Sequence, residues 1–396
     1  MHLLMDGIRQ TSDEIEILLY VRHDEDASDE RARFIEAILT AIWGGTYRVT
    51  LCHSEPRVAN RDSLWQYYVK PVTNFLFLED YAQLTGSAQI AALEQCLTRH
   101  PEYLFVLRLK CMPPILLTKE KLPPVFMDLD DIEHLTLLRN IRQPPRWPGK
   151  WLQYLWVLAL MKGEKTSMKL AEKTFVCSEV DRSKLQKRFR LTNIEVIPNA
   201  IAAQKHVALT SAPSLLLLGQ YNYLPNQIGA EFFLDEVWPI INASVPLAHL
   251  TIAGPNSQKI RHAEHPPAGV HFPGYVDDLD ALYADTRVVV CPILSGGGTR
   301  VKIMEAAAYG KPVVTTTIGA EGIDLHNDKS ILLRDEPNAF ALACIALLQD
   351  QDLASRIGGC ARQVISEKYE RFKVISQLAD HLRSTPTTRL DGQTGC

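Results

Sequence analysis

The sequence predicts an α/β protein with two doubly wound domains in tandem. Three observations predict this class: a length of 396 residues, two successive series of short β-rich runs, and helix-length amphipathic segments between the runs. A chain of this length suits two domains, and 46% hydrophobic with 22% charged residues is typical of globular proteins. Continuous β-rich runs separated by helices are typical of buried parallel strands with crossover helices.

The first series defines an N-terminal domain over residues 1–200. The opening sequence, MHLLMDGIRQ, predicts a helix. Strands are predicted at residues 15–22, 47–53, 74–80, 103–109, 124–130, 174–179 and 194–199.

The second series begins after residues 201–213, which are small and polar and are interpreted as a linker. It defines a domain over residues 214–365, followed by a helix, residues 366–383, that we expect to pack back on the first domain. Residues 384–396 are interpreted as a frayed tail. Ligand is expected where the carboxyl ends of the strands of the two domains face one another. Strands are predicted at residues 214–220, 247–254, 270–274, 287–293, 311–317 and 330–335.

Composition argues against several classes of protein. A net charge of -4 gives no reason to expect a nucleic-acid partner. The eight cysteines contain no C-x-x-C pair, which is typical of reduced thiols in a cytosolic protein. No secretory leader is recognisable, and the longest apolar run is far shorter than the ~20 residues that span a bilayer. We therefore expect a cytoplasmic protein.

The clearest candidate site is the segment SGGGTRVKIMEAAAYGKPVVTT, residues 295–316. It follows a strand and predicts a turn at Gly296–Gly298 and then a helix that ends at Gly310. The N-terminus of such a helix presents unpaired N–H groups and a partial positive charge, so phosphate is its natural ligand. Arg300 and Lys302 can add full charges.

The segment matches neither common phosphate fingerprint. Gly310 and Lys311 are followed by Pro312 at the wrong end of the helix, and Val301 takes the third glycine position of the dinucleotide motif. The residues therefore support neither a kinase nor a dehydrogenase. Glu305 can point to the same cleft and accept two ribose hydroxyls. A tight turn with a solvated Glu305 explains the same residues without a ligand.

Residues 271–325 resemble the donor-binding half of retaining, nucleotide-sugar-dependent glycosyltransferases of family 4, also described as glycosyl transferases group 1. Segments 175–185, 194–201 and 215–239 are similar to the family's end of the first domain, its interdomain strand and its second-domain opening. The resemblance covers about half of the chain. It implies the GT-B fold, in which two Rossmann-like domains face each other across a cleft.

The chain departs from the family pattern in two places. The family signature is two glutamates eight positions apart; Glu305 matches the second, implied to hold the ribose, whereas the first falls on Gly297. This resembles the subgroup that carries G-G-G-T-R and implies no carboxylate near the transferred sugar. Relatives also place an arginine after the glycine that opens the second domain and a lysine about five residues on. Here Gly219 is followed by Gln220, and Pro225 takes the lysine position.

The resemblance implies further donor contacts. Arg300, Lys302 and the amides of Gly297–Thr299 are the candidates for the diphosphate, with Arg300 preferred because its planar fork suits phosphate. A solvated Lys302 is an equal alternative. The turn at Tyr275–Val276 is implied to meet the base through backbone atoms, and Glu321 is implied to line the sugar pocket, although an exposed loop glutamate is the commoner case.

The first domain contributes a separate group of candidates. Asp128 and Asp130 have the spacing by which another class of glycosyltransferase binds a divalent metal. They end a strand where the resemblance places the acceptor cleft, so acceptor recognition or cleft-floor structure is preferred, and no metal is predicted. His134, one turn further on, shares this assignment as a proton carrier or as a structural histidine.

Residues 139–169 interleave basic and aromatic side chains. This pattern suits the anionic surface of a membrane, where a lipid-linked acceptor would be located. A core helix with basic flanks explains it equally well. The residues concerned are Arg139, Arg142, Arg146, Trp147, Lys150, Trp151, Tyr154, Trp156, Lys162 and Lys165.

These features lead to one expected function. The chain is expected to transfer a sugar from a nucleoside-diphosphate sugar to an acceptor hydroxyl of a glycan or lipid-linked acceptor, with retention and without a cofactor or metal. We expect catalysis to be electrostatic, through stabilisation of the departing diphosphate. A nucleotide-sugar epimerase of the same fold and a binding protein without turnover remain alternatives.

Overall fold

The computed structural model describes residues 2–56, 65–142 and 148–384, which form two compact units. The first unit holds the residues up to Ile197 together with those from Ile375 onward, and the second holds Pro198–Val374. Residues predicted as a linker pack with the second unit: Arg287 Nε donates to the carbonyl of Thr210 at 3.1 Å. Of the predicted tail, residues 384–396, all but Ser384 lie outside the described residues.

The first unit contains two sets of parallel strands. β3, β4, β5 and β6 form a four-stranded sheet in that order, and β1 pairs with β2 along eight residues. The last helix returns to this unit, where Lys173 Nζ donates to the carbonyl of His381 at 2.9 Å. The elements are α1 His2–Arg9, β1 Glu14–Val21, α2 Asp29–Trp43, β2 Thr46–His53, α3 Lys70–Thr73, α4 Glu79–Ala82, α5 Ser87–Leu97, β3 Leu104–Leu107, α6 Pro113–Leu117, β4 Val125–Asp128, α7 Glu133–Arg142, α8 Tyr154–Leu170, β5 Lys173–Val176, α9 Glu179–Phe189 and β6 Ile194–Val196.

The strand predicted at residues 74–80 is wrong. The side chain of Asn74 accepts a hydrogen bond from the amide of Leu76 and starts a 3₁₀ turn, Phe75–Phe77, which leads into α4. Phe75, Leu78 and Tyr81 are all buried, at a spacing of three residues. This spacing places the three side chains on one side of a helical path, whereas a strand would alternate them between faces.

The second unit is a six-stranded parallel sheet with helices on both faces. Each of its six predicted strands is present. The elements are β7 Ser214–Leu218, α10 Leu224–Phe232, α11 Trp238–Ser244, β8 His249–Ala253, β9 Val270–Gly274, α12 Leu279–Ala284, β10 Val288–Cys291, α13 Val301–Ala308, β11 Val313–Thr315, β12 Leu332–Leu333, α14 Pro337–Gln349, α15 Gln351–Lys368 and α16 Arg371–Arg383, the last of which continues into the first unit.

The strands of this sheet bury both faces. Leu215 and Leu217 of β7 belong to one hydrophobic cluster, whereas Leu216 between them belongs to the cluster on the opposite face. This explains the continuous apolar runs of the sequence, because a strand covered on both sides needs no polar face. The second cluster also contains Ile303 and Met304, which anchor α13 on the sheet.

Candidate functional site

The order of the strands in the second unit defines where a ligand is expected. The sheet runs β12-β11-β10-β7-β8-β9, so the chain proceeds outward from β7 in one direction and from β10 in the other. Ligands of open α/β sheets bind in the crevice at such a switch point, outside the carboxyl ends of the strands. The loops there follow Leu218 of β7 and Cys291 of β10. They carry Gly219 and Gly296–Gly298, so the topology brings the two predicted glycine positions to the same crevice.

The glycine turn needs glycine at its first position. Gly296 has a φ of 106°, a region that side chains rarely adopt. A Cβ atom at Gly296 would also lie 2.7 Å from the hydroxyl oxygen of Tyr223, which belongs to the loop after β7. The phenol of Tyr223 therefore lies against the turn. Tyr223 was not found from the sequence.

Arg300 is turned towards its own loop. Its Nη1 donates hydrogen bonds to the carbonyls of Gly297 and Gly298. The residue is only 9% exposed, and its Nε is buried without a hydrogen-bond partner among the described residues. Arg300 stands at the N-cap position of α13, and no side chain caps that helix end. No described side chain thus occupies the first amides of α13, which lie next to a buried guanidinium with an unsatisfied donor.

Lys302 reaches across to β7. Its ammonium donates to the carbonyl of Leu218 at 3.1 Å and to the side-chain oxygen of Asn226 at 2.9 Å. The nitrogen would lie 3.5 Å from a Cβ atom placed on Gly219. Burial lowers the pKa of Lys302, as does the charge of Arg300. The described residues offer this cation neutral oxygens and no ion pair.

Glu305 lies in the second turn of α13 and is partly buried. Its Oε2 accepts a hydrogen bond from the hydroxyl of Tyr283 at 3.2 Å. Burial raises the pKa of Glu305, and the bond from Tyr283 opposes that rise. Tyr283 is fully buried and stacks on Tyr309, with ring centroids 4.2 Å apart. Within the described ranges the carboxylate is held through Oε2, and its other oxygen is available to a ligand.

The remaining predicted donor contacts also lie in the second unit. Thr299 Oγ1 accepts a hydrogen bond from the side-chain Nδ2 of Asn199 at 2.6 Å, which links the glycine turn to the start of the unit. Tyr275 follows β9 and is 69% exposed, whereas Val276 packs against the core. Glu321 is partly buried in the loop after β11. The assignments of the base to Tyr275 and Val276 and of the sugar to Glu321 stay predictions.

Asp128 and Asp130 lie at the carboxyl end of β4. Burial raises the pKa of Asp128 to about 7, and the charge of Asp130 adds to the rise. Asp130 forms an ion pair with Arg108, with Nη2 and Oδ2 2.9 Å apart. Both residues of this pair have positive φ angles, 67° for Arg108 and 49° for Asp130. Such backbone strain occurs often at functional sites. Arg108 was not found from the sequence.

His134 is placed differently from the aspartates. It is 6% exposed and lies in α7, where its Nδ1 and the Glu164 side chain of α8 are 2.5 Å apart. Its backbone amide donates to the same carboxylate at 3.0 Å. The ring therefore takes part in a buried contact between two helices. Its assignment to the acceptor side stays a prediction, and the structural alternative accounts for both bonds.

Helix α8 carries three lysines with exposed side chains, one of which, Lys162, donates to the carbonyl of Thr73. Lys162, Lys165 and Lys169 are exposed, whereas the one acidic residue of this stretch, Glu164, is fully buried. Trp151, Leu152 and Leu158 are 68%, 42% and 51% exposed. Of the predicted segment, Arg146 and Trp147 lie outside the described residues.

No helix among the described residues has the length and apolar character needed to cross a bilayer. No cluster of three or more His, Cys, Asp or Glu side chains suited to a metal ion occurs in the described ranges.

Comparison with known proteins agrees with the architecture. Residues 212–350 match the model of the family described as glycosyl transferases group 1. A curated relative, an uncharacterized 44.6 kDa protein in the cps region of Klebsiella pneumoniae, is 24% identical over 165 residues, 39% of this chain and 42% of the relative. The chain thus aligns with about two fifths of that relative's length.

Solved structures resemble the fold over more of the chain. TarM of S. aureus gives a TM-score of 0.60 at 16% identity, over 75% of this chain and 59% of TarM. Anabaena HepE in complex with UDP-glucose gives 0.60 at 14% identity, over 94% of this chain and all of HepE, 100%. The expected GT-B fold of two Rossmann-like domains is confirmed.

Proposed function

We propose that this protein is a retaining glycosyltransferase that moves a sugar, most simply a hexose, from a nucleoside-diphosphate sugar to an acceptor hydroxyl. One observation carries the proposal. At the switch point of the second sheet, the uncapped N-terminus of α13 lies beside the buried, unsatisfied Nε of Arg300, and Glu305 follows one turn later. A diphosphate suits the first two groups, and a ribose suits the third.

The family match over residues 212–350 supports a glycosyl donor in this crevice, because the matched residues include the loops after β7 and β10. Assignment to family 4 and to its G-G-G-T-R subgroup rests on the sequence resemblance. HepE, similar in fold, was solved with UDP-glucose. By analogy, UDP-hexoses head the panel of donors to be tested.

Catalysis would act on the leaving group. The amides of Gly297–Thr299 and the dipole of α13 stabilise the negative charge that develops on the departing diphosphate. Gly297 brings no carboxylate to the sugar, so a diphosphate oxygen would take the proton of the acceptor hydroxyl. Attack on the face that the diphosphate leaves retains the anomeric configuration. The reaction then needs no metal, and full turnover is expected in excess EDTA.

The acceptor would bind to the first unit. Asp128 and Asp130 end β4 where hydroxyl groups of a glycan can reach them, and Arg108 adds an exposed guanidinium beside them. Carboxylates and a planar guanidinium are suitable partners for sugar hydroxyls. His134, which is bonded to Glu164 between α7 and α8, would have a structural role on the acceptor side.

We also propose that the exposed face of α8 contacts an anionic membrane, as expected for a lipid-linked acceptor. Lys165 and Lys169 are exposed on α8, and Trp151 and Leu158 supply exposed apolar side chains in the same stretch. Tryptophan and lysine together favour the interface of anionic bilayers. The core-helix alternative predicts no such binding.

The test is a nucleotide panel followed by a transfer assay. UDP-, GDP- and ADP-sugars are screened by thermal shift, because a ligand that binds only the folded state raises the melting temperature. The sugar that binds is then incubated with and without glycan acceptors. Acceptor-dependent release of nucleoside diphosphate supports the proposal. Sugars that are altered without an acceptor would indicate an epimerase. Binding without any turnover would indicate a non-catalytic binding protein, the alternative suggested by the missing carboxylate at Gly297.

A further inference from the structure

The two cations of the first turn of α13 face different groups. Arg300 Nη1 is engaged by the carbonyls of Gly297 and Gly298, on its own side of the crevice. Lys302 points the other way, to the carboxyl end of β7. The sequence places both at the start of one helix and favours Arg300 as the diphosphate ligand. The structure separates them.

We infer that Lys302 is the cation that neutralises the bound diphosphate from the β7 side of the crevice, and that Arg300 is chiefly a positioning residue that holds the glycine turn. This inference rests on the proposed function, because it assigns roles within the same donor site. It reverses the preference for Arg300 that the sequence suggests.

The surroundings of Lys302 are those of a cation without its counter-ion. Its described partners are the carbonyl of Leu218 and the amide oxygen of Asn226, and both are neutral. Burying an ammonium among neutral groups is unfavourable, and the lowered pKa of Lys302 reflects that burial. A phosphate group next to Gly219 would supply the missing negative charge.

Asn226 holds the lysine in this place. Its Nδ2 donates to the carbonyl of Gln220 at 2.8 Å, which orients its Oδ1 towards the ammonium. Gly219 has no side chain between the ammonium and the crevice, and the nitrogen is 3.5 Å from where a Cβ atom would stand. A short movement of the flexible lysine therefore brings its charge to a ligand above Gly219.

Arg300 is suited to a different task. Two of its hydrogen bonds close the loop onto the helix end, and the residue is almost fully buried. The unsatisfied Nε is a second sign that an acceptor atom of a ligand enters this crevice. The Nε of Arg300 can donate one hydrogen bond to the ligand, whereas the charge of the diphosphate is neutralised by the ammonium of Lys302.

The experiment compares a nucleoside diphosphate with its nucleoside. UDP and uridine, GDP and guanosine, and ADP and adenosine are titrated calorimetrically into the parent chain, Lys302→Met and Arg300→Lys. For the matching base, Lys302→Met should lose at least tenfold affinity for the diphosphate and none for the nucleoside. Arg300→Lys should lose affinity for both and lower the melting temperature, because the turn is released. Equal diphosphate affinity in Lys302→Met and the parent overturns the inference.

A second measurement does not require Lys302→Met, the variant that lacks the charge, to fold. In the parent, diphosphate affinity should fall as the pH rises through the lowered pKa of Lys302, because the neutral amine attracts phosphate weakly. Lys302→Arg keeps its charge and should show no such fall. An identical pH profile in both proteins contradicts the inference. If the parent binds no nucleotide at all, the proposed function itself fails, and that outcome is distinct.

Discussion

The hydroxyl of Tyr283 donates a hydrogen bond to Oε2 of Glu305 at 3.2 Å. Tyr283 comes from α12 and is fully buried, so the position of its hydroxyl is set by the core of the unit. Burial raises the pKa of Glu305, and the bond from Tyr283 lowers it, which favours the ionised carboxylate. An ionised, oriented carboxylate is the form that accepts two ribose hydroxyls.

Tyr283→Phe is expected to weaken nucleotide binding about tenfold, equivalent to ~1.4 kcal/mol. The loss should be larger at acidic pH, because the pKa of Glu305 rises further without the bond. Calorimetry at pH 5.5 and pH 8 measures both effects. Tyr309→Phe is the matched control, since the hydroxyl of Tyr309 donates to Asp280 instead, at 2.6 Å. A Tyr283→Phe variant that binds as the control does would remove Tyr283 from the site.

Gly296→Ala should disturb the glycine turn. The new methyl group would meet the hydroxyl of Tyr223, and a φ of 106° is strained for alanine. We expect at least tenfold weaker nucleotide binding, from strain of about 1–2 kcal/mol. Adding Tyr223→Phe should recover part of the loss.

Gly359→Ala is the control for this change. A Cβ atom there meets no atom within 4 Å, and the residue lies in α15. It should leave binding unchanged and raise stability slightly, by about 0.5–1 kcal/mol. Wild-type affinity in Gly296→Ala would show that the turn does not shape the site.

Asp128→Asn should change the dependence of stability on pH. The folded state raises the pKa of this carboxyl from about 4 to about 7, so it binds the proton more tightly than the unfolded chain does. The contribution of this carboxyl to the free energy of unfolding is therefore present at low pH and is lost as the pH rises to about 7. The variant carries no titrating group and should be more stable than the parent above pH 7, by about 1–3 kcal/mol.

Thermal unfolding at pH 5 and pH 8 measures the effect. Glu120→Gln, at an exposed loop carboxylate, is the control and should shift neither melting temperature. If Asp128→Asn lowers the melting temperature at pH 8, the carboxylate is stabilised in its ionised form and our account of its burial is wrong.

Binding to anionic vesicles should depend on α8. The double variant Lys165→Glu/Lys169→Glu is expected to reduce pelleting with phosphatidylserine vesicles at least tenfold, since each basic residue near such a surface contributes about 1 kcal/mol. Lys119→Glu/Lys121→Glu changes the charge equally on an exposed loop and should retain binding. No pelleting of the parent would favour the core-helix interpretation of the segment.

The sequence predicts the second unit well because its strands are contiguous apolar runs between clear breaks. The run at residues 74–80 looked equally apolar, yet the side chain of Asn74 caps a turn there and the buried residues follow a helical spacing. Composition within seven residues does not distinguish these two patterns.

The site was partly predictable for a related reason. Gly296–Gly298, Arg300 and Glu305 lie in one motif, so local sequence reveals them together. Tyr223, Asn226 and Tyr283 join them through the adjacency of β10 and β7 and through the packing of α12. That adjacency depends on strand order, which the sequence does not state. Searching the residues that follow each predicted strand end could have found Tyr223.

The most direct test of the donor site is the titration of the matching nucleoside diphosphate into the parent and into Glu305→Gln, with Glu264→Gln, an exposed carboxylate, as the control. We predict that the parent and the control bind alike and that Glu305→Gln binds at least tenfold more weakly without a fall in melting temperature. Equal affinity in all three proteins, or no binding of UDP, GDP or ADP to the parent, would contradict a nucleotide-sugar site at α13.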